Sequence, residues 1–463
     1  MKLSHVNFFK NLLGEDFIIV DKEEQFPYSH DETEDLSFYP SIVLKPKNTE
    51  HVSKILKYCF DNDLKITPQG ARTGLSGGAL PVGKSIALSL ERFNRIINID
   101  EDNLQVTVEP SVIVQVLQDA VESKGLFYPP DPASKGSCFI GGNLAENSGG
   151  PKAVKYGVTA DYVLNLEIVL PNGDVIWTGA NTLKNATGYN LTQLMVGSEG
   201  TLGVITKAVL KLIPLPKFNK LLLVSFSSSE KACESVSEIF KVGIIPSGLE
   251  FMERDAVIYT ASFINDQTII INDNMQAQLL IEVDGDYEEV LMNECEIIME
   301  VVERFEAIEV LFADSQSQKD KLWELRRKVG EAVKSQTIYK EEDTVVPRFE
   351  LPKLIVGVKK IGDRFGFKSI CYGHAGDGNL HINILKGDMT DQKWENELSE
   401  GIREIFELTV KLGGTISGEH GIGFIQKNYM DIPFSNIQLD LMKSIKEVFD
   451  AKGILNPGKI FPD

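Results

Sequence analysis

Three of the chain's six histidines fall in two short segments near its C-terminal end. These are Tyr372-Gly-His374-Ala-Gly-Asp-Gly-Asn379-Leu-His381-Ile-Asn383 and Ser417-Gly-Glu419-His420-Gly-Ile-Gly423. The Ala-Gly-Asp-Gly-Asn run after His374 breaks a helix, and the alternation His381, Asn383, Leu385 suits a strand, so the chain is expected to fold back there. Such a reversal can bring two imidazoles to one point. A carboxylate from Glu419 would complete an N,N,O ligand set for a divalent metal with open positions, and His420 beside it would be free to act as a base. The other reading is ordinary hydrogen bonding, which is how His5, His30 and His51 look. Gly373, Gly376, Gly378, Gly418, Gly421 and Gly423 favour the metal site, because glycines clustered around polar residues suggest close backbone approach.

The rest of the chain must supply the elements that position these groups. At 463 residues it exceeds one ordinary core, so two or three domains are expected, and 43% hydrophobic residues support folding throughout. With 47 basic and 67 acidic residues the formal charge is −20. That opposes binding to nucleic acid or an anionic membrane surface, so an anionic substrate would need a local positive site. Cys59, Cys138, Cys233, Cys295 and Cys371 are scattered and never spaced CxxC, which excludes a Cys-rich zinc or iron–sulfur module and fits a reduced cytosol. Lys10 and Glu15 interrupt the first 17 residues, and no stretch approaches the ~18 apolar residues of a membrane span. A soluble, cytoplasmic protein is expected.

Periodicity predicts a strand over 41–46, a helix capped by Thr49 that carries Val52, Ile55, Leu56 and Cys59, and a strand over 64–67. A second cycle has residues 105–109 extended, Ser111 as a cap, and a helix through Val112, Val116, Leu117, Ala120 and Val121 that Gly125 stops. Strands over 163–170 and 174–177 meet across Pro171-Asn172-Gly173, a hairpin signal. A boundary is expected at Pro214-Leu-Pro216. Beyond it, strands over 221–225 and 278–283 and helices over 229–242 and 288–305 read as βαβ units of a second α/β domain that ends in the histidine segment. A helix over 437–449 and a Pro/Gly tail close the chain.

Three loops rich in glycine and hydroxyl groups lie in the first half. One is Pro68-Gln-Gly70-Ala71-Arg72-Thr73-Gly74-Leu75-Ser76-Gly77-Gly78, whose backbone N–H groups could wrap a diphosphate. Neither GxxxxGK[ST] nor GxGxxG opening a helix is present. The second runs from Pro130-Asp131-Pro-Ala-Ser134 through Cys138 to Gly141-Gly142-Asn143-Leu-Ala145-Glu-Asn-Ser148-Gly149, and the third is Gly197-Ser-Glu-Gly-Thr-Leu-Gly203-Val204-Ile205-Thr206. Three such loops suggest one large, diphosphate-bearing cofactor. In this order they resemble the FAD-binding domain of the vanillyl-alcohol oxidase and p-cresol methylhydroxylase superfamily. Within it the chain, from about Pro40 to Pro462, is similar to the 2-hydroxy-acid dehydrogenase branch, which includes glycolate oxidase, D-lactate dehydrogenases and D-2-hydroxyglutarate dehydrogenase.

The resemblance implies an α+β architecture: an N-terminal extension (1–35), a two-subdomain PCMH-type FAD-binding domain (36–215), an α/β substrate or cap domain (216–425) and a C-terminal segment (426–463) closing on the flavin through Asn456. It implies that His374, His381 and Glu419 bind zinc or manganese and that His420 is the base. Asn383, Arg326 and Lys340 would bind substrate, with Arg326 clamping its carboxylate through the guanidinium fork. Arg327 and Lys328 beside Arg326 also allow a basic, solvent-facing helix. Arg72 stands where relatives often place glycine, and a cation there is expected to need a negative φ. With no histidine in the first loop, noncovalent FAD is expected. Electrons would leave to an iron–sulfur subunit, an electron-transfer flavoprotein or a quinone, and a homodimer is compatible with the sequence. Gly330, one turn beyond Arg326, favours a small monocarboxylate such as D-lactate or glycolate over D-2-hydroxyglutarate. The alternatives are a catalytically passive flavin-binding chain of a larger complex and the alkyl-dihydroxyacetone-phosphate synthase branch, for which the chain has no membrane-seeking segment.

Overall fold

The computed structural model describes residues 1–33, 36–265 and 271–462. The boundary at residue 35 and the final residue of the C-terminal segment lie outside them. By packing, the chain forms two compact units, one of residues 1–149, 158–215 and 419–463, the other of residues 150–157 and 216–418.

The first unit holds a four-stranded sheet in the order Ile18–Ile19, Val43–Leu44, Ile86–Ser89, Ile66–Gln69. Its last three strands are parallel, so Val43–Leu44 and Ile66–Gln69 need a crossover, supplied by the helix Thr49–Asp61. Asn48, not Thr49, caps that helix by accepting from the His51 amide at 2.9 Å. Val52, Ile55, Leu56 and Cys59 are buried as the periodicity predicts, and Phe9 and Leu13 of the Leu3–Leu13 helix join the same core. A five-stranded sheet follows, in the order Ile96–Asp100, Gln105–Val108, Val204–Lys211, Val163–Val169, Val175–Trp177. All its pairings are antiparallel, including the hairpin closed at residues 171–173. Ser111 does not cap the helix Val114–Glu122, whose cap position is Ile113. The Ser111 hydroxyl is committed elsewhere, donating to the Leu90 carbonyl at 2.7 Å. At the C-terminus, Leu455 bridges to Ile66 and extends the first sheet by one edge.

The second unit is built on a seven-stranded sheet. Its order is Ala307–Phe312, Phe218–Phe226, Ala277–Gly285, Gly248–Glu253, Lys368–Gly373, Asn379–Leu385, Tyr339–Val345. Every pairing is antiparallel. The strand–helix–strand units expected here are therefore split. The helix Ser229–Lys241 does link Phe218–Phe226 to Gly248–Glu253, but Ala277–Gly285 sits between those strands and takes their hydrogen bonds. On one face the helices Arg254–Phe263, Gln316–Arg327 and Val329–Gln336 bury Ala256, Val257, Leu322, Leu325, Val329 and Val333 against Met252, Leu280, Ile370 and Tyr372. No helix among the described residues is long and apolar enough to cross a membrane.

Candidate active site

Register places the polar groups of the second unit. The chain reverses between Lys368–Gly373 and Asn379–Leu385, with Tyr372 opposite His381. Gly378 makes the turn at φ +87°, where a β-carbon would run into the Val346 carbonyl. Residues directly opposite in a sheet share a face. Met252, Tyr372, His381 and Asp343 form one such row, and Asn383 and Glu341 form the next. His374 follows at the strand end, its ring centre 5.6 Å from that of His381.

Glu250, two residues before Met252 on the same face, organises this end of the sheet. It is fully buried. Both its carboxylate oxygens lie 2.8 Å from His374 Nδ1, and Arg326 Nη2 lies 2.7 Å from its Oε2. An ionised carboxylate only accepts, so Nδ1 carries the hydrogen and Nε2 is the nitrogen left to meet a metal, the arrangement of a metal-ligating histidine. Glu250 is not among the residues to which the sequence points; its one signal there is an acid inside the apolar run Leu249-Glu250-Phe251-Met252. Arg326 is buried, with its guanidinium over the Tyr372 ring at 5.1 Å. The solvent-facing alternative therefore holds for Lys328, which pairs with Glu331 at the surface. Asn383 is fully buried and neither polar atom of its side chain has a hydrogen-bond partner among the described residues, which suits a ligand-binding amide. Lys340 is not brought to this face. It is exposed and alternates with Glu341 onto the opposite side of its strand.

In the first unit a cavity of about 250 Å³ is lined by all three glycine-rich loops. Pro68, Gly70, Ala71, Arg72, Thr73, Gly74 and Leu75 come from the first, Ser134, Gly141, Gly142, Asn143, Ala145 and Ser148 from the second, and Gly203, Val204 and Ile205 from the third. Asn456, Glu419 and His420 also line it. Ser76, Gly77, Pro130, Asp131, Cys138 and Gly149 do not line it. The amide N–H groups of residues 71–75 have no acceptor among the described residues, so the loop offers a row of donors suited to a diphosphate. Asn456 ties the tail to this wall, its side-chain amide donating to the Gly78 and Glu199 carbonyls at 3.0 and 2.7 Å. Arg72 corrects an expectation: its φ is +62°. The strained backbone is held because the guanidinium stacks 4.7 Å over the Tyr28 ring and donates to the Gly70 carbonyl.

Behind His420 lies a pair of buried carboxyls. Glu199 accepts from the Ile422 and Gly423 amides at 2.9 and 2.7 Å. Glu146 packs against Gly421, where φ is +79° and a β-carbon would strike its carboxyl. Burial pushes the Glu146 carboxyl well above the usual carboxylate range, and the charges of Glu199 and Asp31 add to this. Burial also pulls the Lys459 ammonium down to about 8. A carboxyl raised in this way contributes stability below its unfolded pKa that is lost as pH rises through the folded value. Glu146→Gln, neutral at every pH, should therefore gain thermal stability relative to the parent as pH rises above the ordinary carboxylate range. Melting curves of the FAD-loaded pair that stay parallel over that rise would contradict the assignment.

The cavity's donor loops and the two sheets that hold them define an FAD-binding oxidoreductase of the PCMH type. The chain aligns over its whole length with p-cresol methylhydroxylase with substrate bound, at a TM-score of 0.82, 18% identity and 98% coverage of that chain, which shows the fold. The family of FAD linked oxidases, C-terminal domain, matches residues 215–460, and an FAD binding domain matches residues 40–179. The chain belongs to this FAD-linked oxidase family. It is 40% identical over 437 residues to glycolate oxidase subunit GlcD of Bacillus subtilis (strain 168), covering 94% of this chain and 92% of that one. It is 37% identical over 451 residues to D-lactate dehydrogenase of Anaerostipes hadrus, covering 96% and 94%.

Proposed function

We propose that the protein oxidises a D-2-hydroxy acid, D-lactate or glycolate, to the 2-oxo acid, using noncovalent FAD and a divalent zinc or manganese ion held by His374, His381 and Glu419. The observation that carries this reading is the sheet end where buried Glu250 orients both His374 and Arg326 beside unsatisfied Asn383. The names of the relatives, one acting on glycolate and one on D-lactate, supply the substrate class. When bound, the flavin supplies the two-electron acceptor and the divalent ion lowers the pKa of the substrate hydroxyl.

The remaining work falls to side chains. His420, on the wall of the flavin cavity, takes the hydroxyl proton as the hydride leaves the α-carbon. Arg326 holds the substrate carboxylate with the guanidinium N–H groups that Glu250 leaves available, and Asn383 fixes the hydroxyl-bearing end. Lys340 has no part in this reading, because it faces away. Electrons would leave to an iron–sulfur subunit, an electron-transfer flavoprotein or a quinone, and a relative is named as a subunit.

Anaerobic bleaching of the flavin band near ~450 nm tests the reading. D-lactate or glycolate should bleach it, L-lactate should not, and chelation should abolish the effect. Bleaching by none of these acids would overturn the proposal. The flavin should also leave the protein on acid precipitation, and flavin retained in the pellet would show a covalent link instead.

A further inference from the structure

We infer that Glu341 makes this site select monocarboxylic over dicarboxylic 2-hydroxy acids, an inference that rests on the function proposed above. Glu341 lies opposite Asn383 in the sheet, on the face that carries His381 and Tyr372. Its side chain is 8% exposed, and its Oε1 lies 3.5 Å from His381 Nδ1. The Tyr372 hydroxyl donates to the same oxygen at 3.0 Å.

The other acids of this face have their charge or lone pairs taken up. Glu250 is matched by Arg326 and His374. Asp343 accepts from the Asn379 side chain and from the Ser417 hydroxyl and Gly418 amide. Glu341 has a phenol and an imidazole, and no lysine or arginine pairs with it among the described residues. The strand's own cation, Lys340, points to the opposite face.

Tyr372 links this charge to the carboxylate clamp. Its ring lies under the Arg326 guanidinium while its hydroxyl reaches Glu341, so one side chain touches both charges. The Tyr372 hydroxyl also stands 3.1 Å from where a β-carbon on residue 330 would be, filling the space that glycine leaves beside the clamp. A diacid anchored through one carboxylate on Arg326 therefore brings its second carboxylate towards the Glu341 charge. Two like charges ~6 Å apart at an effective dielectric of ~20 repel enough for discrimination on the order of 100-fold.

The test is stopped-flow reduction of the FAD-loaded enzyme by D-lactate, D-malate and D-2-hydroxyglutarate. It reads kcat/KM for each diacid relative to D-lactate. The parent should favour D-lactate, and Glu341→Gln, which can still accept from Tyr372, should raise the diacid ratio ~10- to 100-fold. Glu341→Met, which also removes the charge, gives the same readout if the glutamine variant does not hold flavin. Tyr372→Phe keeps the charge and should keep the parent's preference. Reduction by D-lactate with a ratio unmoved in Glu341→Gln and Glu341→Met, or a parent that prefers a diacid, would overturn the inference alone. A flavin reduced neither by these three acids nor by glycolate would overturn the proposed function and the inference with it.

Discussion

His420→Ala should bind FAD normally and lose turnover by ~10²- to 10⁴-fold, the usual contribution of a positioned general base. Flavin should stay because His420 is one of many residues around a cavity lined mainly by the three loops. The pH profile separates a base from a structural histidine. In the parent, kcat/KM should fall on the acid side, where the base is already protonated. That limb should be missing from the residual activity of the variant. His374→Ala gives the contrast, since it should lose bound metal along with activity and keep its flavin. Turnover at the parent's rate in His420→Ala, or metal content unchanged in His374→Ala, would overturn the roles assigned to them.

Glu250→Ala should be the most destabilising of the single substitutions in the second unit, by about 3–5 kcal/mol. It strands a buried guanidinium, because Arg326 is 5% exposed and Glu250 is its ion-pair partner. It also frees the His374 ring to change tautomer, since the carboxylate that holds Nδ1–H is gone. Loss of such an orienting partner typically costs ~10- to 100-fold in metal affinity. Glu250→Gln keeps the shape and one hydrogen bond, so it should melt closer to the parent while still binding metal more weakly. In the pair Glu250→Gln with Arg326→Met, stability should return further and metal affinity should not. Thermal melts and metal titrations of these variants separate the two roles, and Glu250→Ala with the parent's melting temperature and metal content would refute both.

Much of this site was legible in the order of residues. The reversal after His374, the burial of Val52, Ile55, Leu56 and Cys59, and the hairpin at Pro171-Asn-Gly follow from local rules of turn composition and period. The family followed from three loops in a fixed order, a long and specific pattern. What failed were statements about which of two neighbours does a job. Thr49 and Asn48 are both good caps, and only the geometry of the crossover puts Asn48 at the helix start. Lys340 and Glu341 differ by one residue, and in a strand one residue reverses the face; the pairing with Asn379–Leu385 turns the acid inward and the lysine out.

The sequence by itself determined the cofactor class, the loops that could hold it and the histidine segments that suit a metal, because these depend on residue types at short, fixed spacing. Tertiary structure alone decided the partners that lie far apart in the chain. Glu250 meets His374 across 124 residues. Residues 150–157 pack with the second unit because Lys155 and Tyr156 reach Asp284, 129 and 128 residues away. Arg72 keeps its positive φ because Tyr28 lies under its guanidinium. A buried charge is stable only beside its counter-ion or hydrogen-bond partner. The chain does not carry the identity of that partner locally; the fold supplies it by stacking strands whose separation in sequence is arbitrary.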